Sequence, residues 1–237
     1  MRLTAGVAAL LLTGMAPACA EITLAGLPVT SSLTLASDYI YHGLSQTGGT
    51  GAWQADITIG EDEGPYLNLW ASRVKYAGYD SFAEFDLTTG WERRFGDWRL
   101  DGALELVFYP ETGGRMPLDY ATLQLTAERQ WRGVSLEVSL GSSPGLVGAA
   151  GAWVNAGIGG ALPFTEKLSA TARLGYQASA DPRAYGLPHY YDGRLGLLYS
   201  LPAFDLQAYA SWTSVPDAQC PDRRCGPAVN LAATFHY

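Results

Sequence analysis

Between Val29 and Trp53 the chain reads VTSSLTLASDYIYHGLSQTGGTGAW. In its first half Val29, Ser31, Leu33, Leu35, Ser37, Tyr39 and Tyr41 share one face of an extended strand. Thr30, Ser32, Thr34, Ala36, Asp38 and Ile40 share the other. Successive side chains of a strand point to opposite faces, so one face is mainly apolar and the other mainly polar. The apolar face ends in two tyrosines, where an aromatic girdle would sit if that face met lipid. A Gly- and Thr-rich loop follows, and alternation resumes at Trp53, Ala55, Ile57 and Ile59.

The same unit recurs to the end of the chain. Alternation predicts strands over 29–41, 52–60, 65–73, 82–95, 97–109, 117–131, 133–143, 151–162, 168–178, 189–201, 203–214 and 227–237. That is about twelve, and the even number suits a bacterial outer-membrane barrel. Each segment has the roughly 9–11 residues that a tilted strand needs to cross a membrane. Short connections at Glu61–Gly64, Gly96, Arg132, Pro163–Lys167 and Pro202 take turns with longer ones at His42–Gly51, Val74–Ser81, Pro110–Met116, Ser143–Ala150, Ser179–Pro188 and Ser214–Gly226. Outer-membrane barrels place short turns on one side and long loops on the other. Aromatic residues gather near strand ends, at Tyr39, Tyr41, Trp91, Phe95, Trp98, Phe108, Trp131, Tyr199 and Trp212. The fold expected is all-β, a transmembrane antiparallel up-and-down β-barrel.

Two other readings compete. Gly145 to Phe164 lacks charge over the length of a membrane helix, but it is crowded with Gly and Ala and has Asn155 at its middle. A lone helix would also leave strand edges unpaired in lipid. A secreted β-sandwich would alternate too. Only 16% of the residues are charged, 12% are aromatic and mean hydropathy is +0.01. A soluble domain carries about a quarter charged residues.

The 237 residues carry a net charge of −8 and show no basic patch, so nucleic acid is not an expected partner. Arg2, the apolar run Leu3–Met15 and Ala18-Cys19-Ala20 have the form of a cleaved secretory signal over residues 1–20. The remainder, 21–237, reads as a single barrel domain. Cys220 and Cys225 then remain, and an oxidising compartment predicts a disulfide between them.

Candidate chemistry is sparse. Histidines 42, 189 and 236 show no metal-ligand spacing, and neither metal nor cofactor is expected. Asp38, His42 and Ser45 invite comparison with a hydrolase triad, but an extended strand would hold Asp38 more than about 10 Å from His42. Alternation turns Asp38, Asp56, Glu84, Asp86, Glu92, Asp101, Glu105, Glu128, Glu137, Asp192 and Asp205 inward, with Trp70, Tyr66 and Asn68. Arg94, Arg99, Arg173 and Arg194 share that face and are the expected partners of Glu84/Asp86 and Asp101/Glu105. Of these, Asp38, Asp56, Trp70, Glu84, Asp86, Arg99, Asp101, Glu105, Glu128, Glu137, Arg173, Asp192 and Arg194 are the candidate pore lining. Acids outnumber arginines among them, and a lumen of one dominant sign concentrates counter-ions.

Ser37-Asp38-Tyr39, then Gly43-Leu44-Ser45-Gln46-Thr47, then Ala52-Trp53-Gln54 resemble the opening signature of the TorF-type porin family of Gram-negative outer membranes. That family usually has Arg where this chain has His42. Looser matches at Trp70-Ala71-Ser72, Glu84-Phe85-Asp86, Tyr109-Pro110, Tyr191-Asp192, Cys220 with Cys225, and the C-terminal aromatic extend the likeness over nearly all of the mature chain. The resemblance implies a barrel embedded in outer-membrane lipid. The terminal Phe235 and Tyr237 resemble the signal read by the barrel assembly machinery. The expected function is passive passage of small cationic or neutral solutes, without enzymatic activity. A filled barrel displaying outer loops and a lipid-modifying barrel enzyme are the alternatives.

Overall fold

The computed structural model describes residues 22–76, 81–110, 119–145, 151–220 and 224–237. Residues 1–20, the expected signal, lie outside them, as do the first positions of the strand expected from residue 117. Among the described residues fifteen strands form: β1 (Ile22–Leu24), β2 (Leu27–Ala36), β3 (Ile40–Tyr41), β4 (Leu44–Ser45), β5 (Ala52–Gly60), β6 (Gly64–Arg73), β7 (Ala83–Phe95), β8 (Trp98–Phe108), β9 (Tyr120–Trp131), β10 (Val134–Ser143), β11 (Trp153–Pro163), β12 (Leu168–Ser179), β13 (Tyr190–Ser200), β14 (Phe204–Thr213) and β15 (Ala228–His236). One short helix, α1 (Pro182–Tyr185), lies between β12 and β13.

Twelve of the strands, β2 and β5 to β15, pair antiparallel with their neighbours in sequence. β15 then returns to β2, so the sheet closes on itself. Closure leaves no strand edge in lipid, where an unpaired backbone group has no water to bond. At the seam the Thr34 and Thr234 hydroxyls are 2.8 Å apart. Nearby, Ser31 and Tyr237 exchange backbone hydrogen bonds of 3.1 and 2.9 Å. β1 adds a small hairpin to β2 through Ala25 and Gly26, which both take positive φ, as a two-residue type I′ turn requires.

The strands fall within three residues of their expected limits except at one place. The run through 145–164 is a strand, not a helix, over Trp153–Pro163. The exception is the first expected strand, 29–41. It ends at Ala36, and the chain turns inward to form the β3–β4 hairpin.

Large apolar side chains cover the outside of the barrel. Leu69, Leu104, Leu125, Val138, Ile158, Leu174, Leu195 and Leu231 are all exposed. Apolar surface of this extent on a closed sheet matches a lipid solvent. Exposed aromatics mark both rims: Trp91, Phe95, Trp98, Trp131 and Phe164 at the short-turn end, Phe85, Phe108, Tyr191 and Trp212 at the loop end. Tyr39 and Tyr41 depart from the expectation and do not join the belt. Tyr39 is buried inside.

Candidate lumenal site

The inward face is polar on most barrel strands. Thr58, Asn68, Glu84, Asp86, Thr88, Glu92, Glu105, Thr122, Glu128, Ser135, Glu137, Thr171, Gln177, Asp192, Asp205 and Asn230 are buried there. Asp56, Gln124, Thr126, Arg173 and Arg194 lie near the middle of their strands and are only partly buried. Solvent reaches them from within the barrel.

The loop end is narrowed by the first outer segment. Asp38 Oδ1 accepts hydrogen bonds from Ser45 Oγ (2.8 Å) and Thr47 Oγ1 (2.6 Å), and Ser45 Oγ accepts one from Gly49 N (2.9 Å). Ser37 ends β2 by bonding the Leu231 backbone in both directions. Gly43 has φ 76°, and a Cβ there would come within 2.5 Å of Thr213 Cγ2, so a side chain does not fit. Gln46 Oε1 accepts from Tyr76 Oη at 2.7 Å. The family-signature residues thus build a folded-in hairpin. Asp38 holds that turn together rather than facing an open passage.

This geometry also replaces the triad comparison. The strand does not continue, so Asp38 and Ser45 meet. The Ser45 hydroxyl is committed to Asp38, while His42 Nδ1 lies 2.8 Å from Gln177 Nε2.

Beneath the hairpin Tyr39 packs on Trp70, and its hydroxyl donates to Glu84 Oε1 at 3.2 Å. Val74, Val107, Tyr109, Tyr41, Tyr76 and Tyr120 complete the cluster. Trp70 is therefore covered. Outside the strands, burial and then Glu84 raise the Tyr76 hydroxyl, and burial pushes that of Tyr185 up to about 12. Both stay protonated at neutral pH.

The arginines do not pair as alternation suggested. Arg99 binds Glu92 and approaches Glu128 at 3.8 Å. Arg173 Nη1 binds Asp192 Oδ1 at 3.0 Å, and Gln177 Nε2 donates to the other oxygen of Asp192 at 3.0 Å. Arg194 lies over the Tyr209 ring, 5.1 Å from its centroid. Arg94 is exposed at the turn end. Glu84, Asp86 and Glu105 have no arginine partner among the described residues. Glu84 is bonded by the hydroxyls of Tyr109, Tyr39 and Tyr76, and Glu105 accepts from Gln124 Nε2 at 2.6 Å. Asp101 accepts from Tyr66 Oη at 3.2 Å, and Asp56 from Asn68 Nδ2 at 2.8 Å. Asp205 lies 3.1 Å from His236 at the turn end. Face assignment is a local property and was readable. Partner choice depends on which strands meet, and alternation is silent on that.

Two glycines make room for Arg173. A Cβ on Gly157 would lie 2.6 Å from its Nη2, and one on Gly175 would lie 2.9 Å from its Nη1. The guanidinium rests in a trough along the wall.

Register fixes heights as well as faces. A row of paired residues is not level, because barrel strands tilt against the axis. From Arg194 the row runs through Arg173, Gly159, Glu137, Glu128 and Arg99 to Arg94 on β7. Arg94 is eight residues from Asp86, toward the turn end. Followed the other way, through Ser211 and Ala228, the remaining registers carry the row eight residues past Asp86 toward the loop end. β7 and β13 are six strands apart in either direction around the twelve. Asp86 and Arg194 therefore stand at one height on opposite walls. Glu105 is diagonal to Asp86 on β8, and Arg173 is directly paired with Arg194 on β12.

A closed twelve-stranded barrel, apolar outside and polar within, has the architecture of an outer-membrane β-barrel. The chain matches the model of the Gcw_chp family, bacterial proteins of unknown function, over residues 21–224, and it belongs to that family. No curated protein matches it. Among solved structures it is similar to the NanC porin in a rhombohedral crystal form, with a TM-score of 0.60, 7% identity, and 86% of this chain and 98% of that one covered. It is also similar to the KdgM porin in complex with disordered oligogalacturonate, with a TM-score of 0.55, 9% identity, and 87% and 97% covered. At these identities the likeness is one of fold.

Proposed function

We propose that the protein is an outer-membrane channel for passive passage of small polar solutes, cationic or neutral. The observation that carries this reading is the partial burial of Asp56, Gln124, Thr126, Arg173 and Arg194 at mid-strand on the inward face. A barrel packed solid with side chains would seal them. The porin-like fold and the likeness of the Ser37–Gln46 stretch to the TorF-type porin family support it. Residues 1–20 would direct export, and Phe235 and Tyr237 would present the chain to the assembly machinery. Preference for cations follows from the unpaired excess of inward carboxylates, Glu84, Asp86 and Glu105 above all.

Refolded protein in a planar bilayer should show discrete conductance steps. Its reversal potential in a salt gradient should favour cations, more weakly as salt rises, because the screening length falls from about 10 Å at 0.1 M to about 3 Å at 1 M. A silent bilayer would overturn the channel reading. It would favour the filled barrel, for which the folded-in hairpin and its tyrosine cluster speak.

A further inference from the structure

We infer that the turn end of β7 to β10 binds an anionic phospholipid, through the phosphodiester of its headgroup, on the lipid-facing surface of the barrel. The inference rests on the barrel being embedded in lipid and is independent of whether the lumen conducts.

The outward positions of the twelve barrel strands hold no Asp, Glu or Lys among the described residues, and three arginines: Arg73, Arg93 and Arg129. Arg73 is committed at the loop end, where it donates to Thr50 Oγ1 at 3.0 Å and to the Gly51 carbonyl. Arg93 and Arg129 stand together at the other end. Arg93 is paired with Leu100 and Arg129 with Trp98, so one strand, β8, separates them. Each lies two residues before the end of its strand. An outward arginine is costly at mid-membrane and tolerated at the interface. Arg132 follows Trp131 in the turn between β9 and β10. No run of basic residues marks this group along the chain; strand pairing assembles it.

The three guanidinium groups share one geometry. Arg93 lies over Phe95, Arg129 over Trp98 and Arg132 over Trp131, at 5.4, 5.3 and 5.3 Å from the ring centroids. Stacking uses the flat face of the cation. It leaves N–H donors at the edge, in the fork that matches two phosphate oxygens. Arg93 and Arg132 make no ion pair among the described residues. Arg129 has one, with Asp97 at 3.7 Å, but the Asp97 side chain is 71% exposed, and an ion pair in water adds little. Glu63, in the neighbouring turn, accepts from the Arg94 backbone at 3.4 Å.

The surroundings favour lipid as the occupant. The aromatic belt sets these cations at the level of the headgroups. In the next outward row toward the membrane centre, Gly102 lies between Trp91 and Leu125, so an acyl chain descending from the headgroup meets no side chain of β8 there. A second copy of the barrel seated on this patch in a two-fold contact would bring like charges together.

The test is native mass spectrometry of refolded protein released from micelles that hold phosphatidylglycerol and phosphatidylcholine in equal amounts. One phosphatidylglycerol should be retained over phosphatidylcholine by about twenty-five-fold, the scale of two arginines near a membrane surface at about fivefold each. Arg93→Gln and Arg129→Gln should each lower the preference about fivefold, and the double variant should abolish it. Arg183→Gln, in α1 at the loop end, should leave it unchanged. Should one variant fail to fold, as read from its mobility on a detergent gel, the other single variant carries the test. Equal retention of the two lipids, or a preference that survives the double variant, overturns the inference. Displacement of the bound lipid by inorganic phosphate at the lipid's own concentration also overturns it, because the arginines would then serve a free anion. A dimer mass that is lost with Arg93→Gln overturns it in favour of a second copy. A lipid preference in protein that gives no bilayer conductance supports this site and counts against the channel; conductance without the preference does the reverse.

Discussion

The Tyr39 and Trp70 rings meet edge to face with centroids 5.3 Å apart, inside the barrel. The contact binds the first outer segment to the wall of β6, and the Tyr39 hydroxyl adds a bond to Glu84 on β7. Tyr39→Ala removes both. Loss of a buried aromatic costs about 3–5 kcal/mol, and here the cost falls on the segment rather than on the closed sheet. Single-channel conductance should rise, with gel mobility of the folded form unchanged. Unchanged conductance would show that this segment does not narrow the passage.

Width at the arginine wall depends on Gly157. An added Cβ would fall 2.6 Å from Arg173 Nη2 and 2.7 Å from Ser139 Oγ, both ends of side chains that can move. Gly157→Ala should therefore fold, displace the guanidinium toward the lumen and lower conductance. Gly160→Ala is the contrasting case. Its Cβ would meet the Ser135 backbone oxygen at 2.2 Å, so it should reduce the yield of folded barrel. Equal behaviour of the two variants would count against the trough.

Arg99 holds Glu92 and Glu128 on three adjacent strands, β7, β8 and β9. Arg99→Met keeps the stem and takes the guanidinium away from two buried carboxylates. Removing one partner of a buried ion pair costs about 3–5 kcal/mol, less where lumenal water reaches the site. The temperature at which the folded band disappears from a detergent gel should fall clearly. Glu128→Gln should cost less, because the longer contact is lost while Arg99 keeps Glu92. A larger effect from Glu128→Gln would reject this ranking.

Cys220 and Cys225 form a disulfide with Cα atoms 5.7 Å apart. The loop it closes is short, so its contribution should stay below the roughly 3 kcal/mol of a fifteen-residue loop. The same stretch bonds the folded-in hairpin, because Ser45 N donates to the Arg224 carbonyl at 2.8 Å. Cys220→Ser with Cys225→Ser should leave barrel stability nearly unchanged and increase open-channel noise. Free thiols in the intact mass of the parent protein, taken without reductant, would contradict the bond.

Much of the fold was legible along the chain. Lipid on one side and a polar interior on the other impose alternation residue by residue, and a slip by one would expose the wrong face. Val134 to Leu140 and Ala170 to Tyr176 carry that rule without interruption. Alternation failed after Ala36, because the inward turn is decided by Thr213, Tyr76 and Trp70, all distant in sequence. The pairing of Arg99 with Glu92 and Glu128 was missed for the same reason. The confrontation of Asp86 with Arg194 was the least legible of all, since neither strand contains any trace of the other. Only the accumulated register of the whole sheet places them.

The seam between Thr34 and Thr234 has a bearing on how the barrel is made. Positions two hundred residues apart lie hydroxyl to hydroxyl. During synthesis β2 emerges long before its partner β15. Contacts closest in space are thus the most separated in time. Loop closure over such a span must be met late and at once, after all other pairings are available. Until then two unsatisfied edges are open to any other strand they encounter. The growing chain therefore needs sheltering until the nine residues of β15 are delivered, since a sheet that stopped at β14 would leave the β2 and β14 edges unpaired.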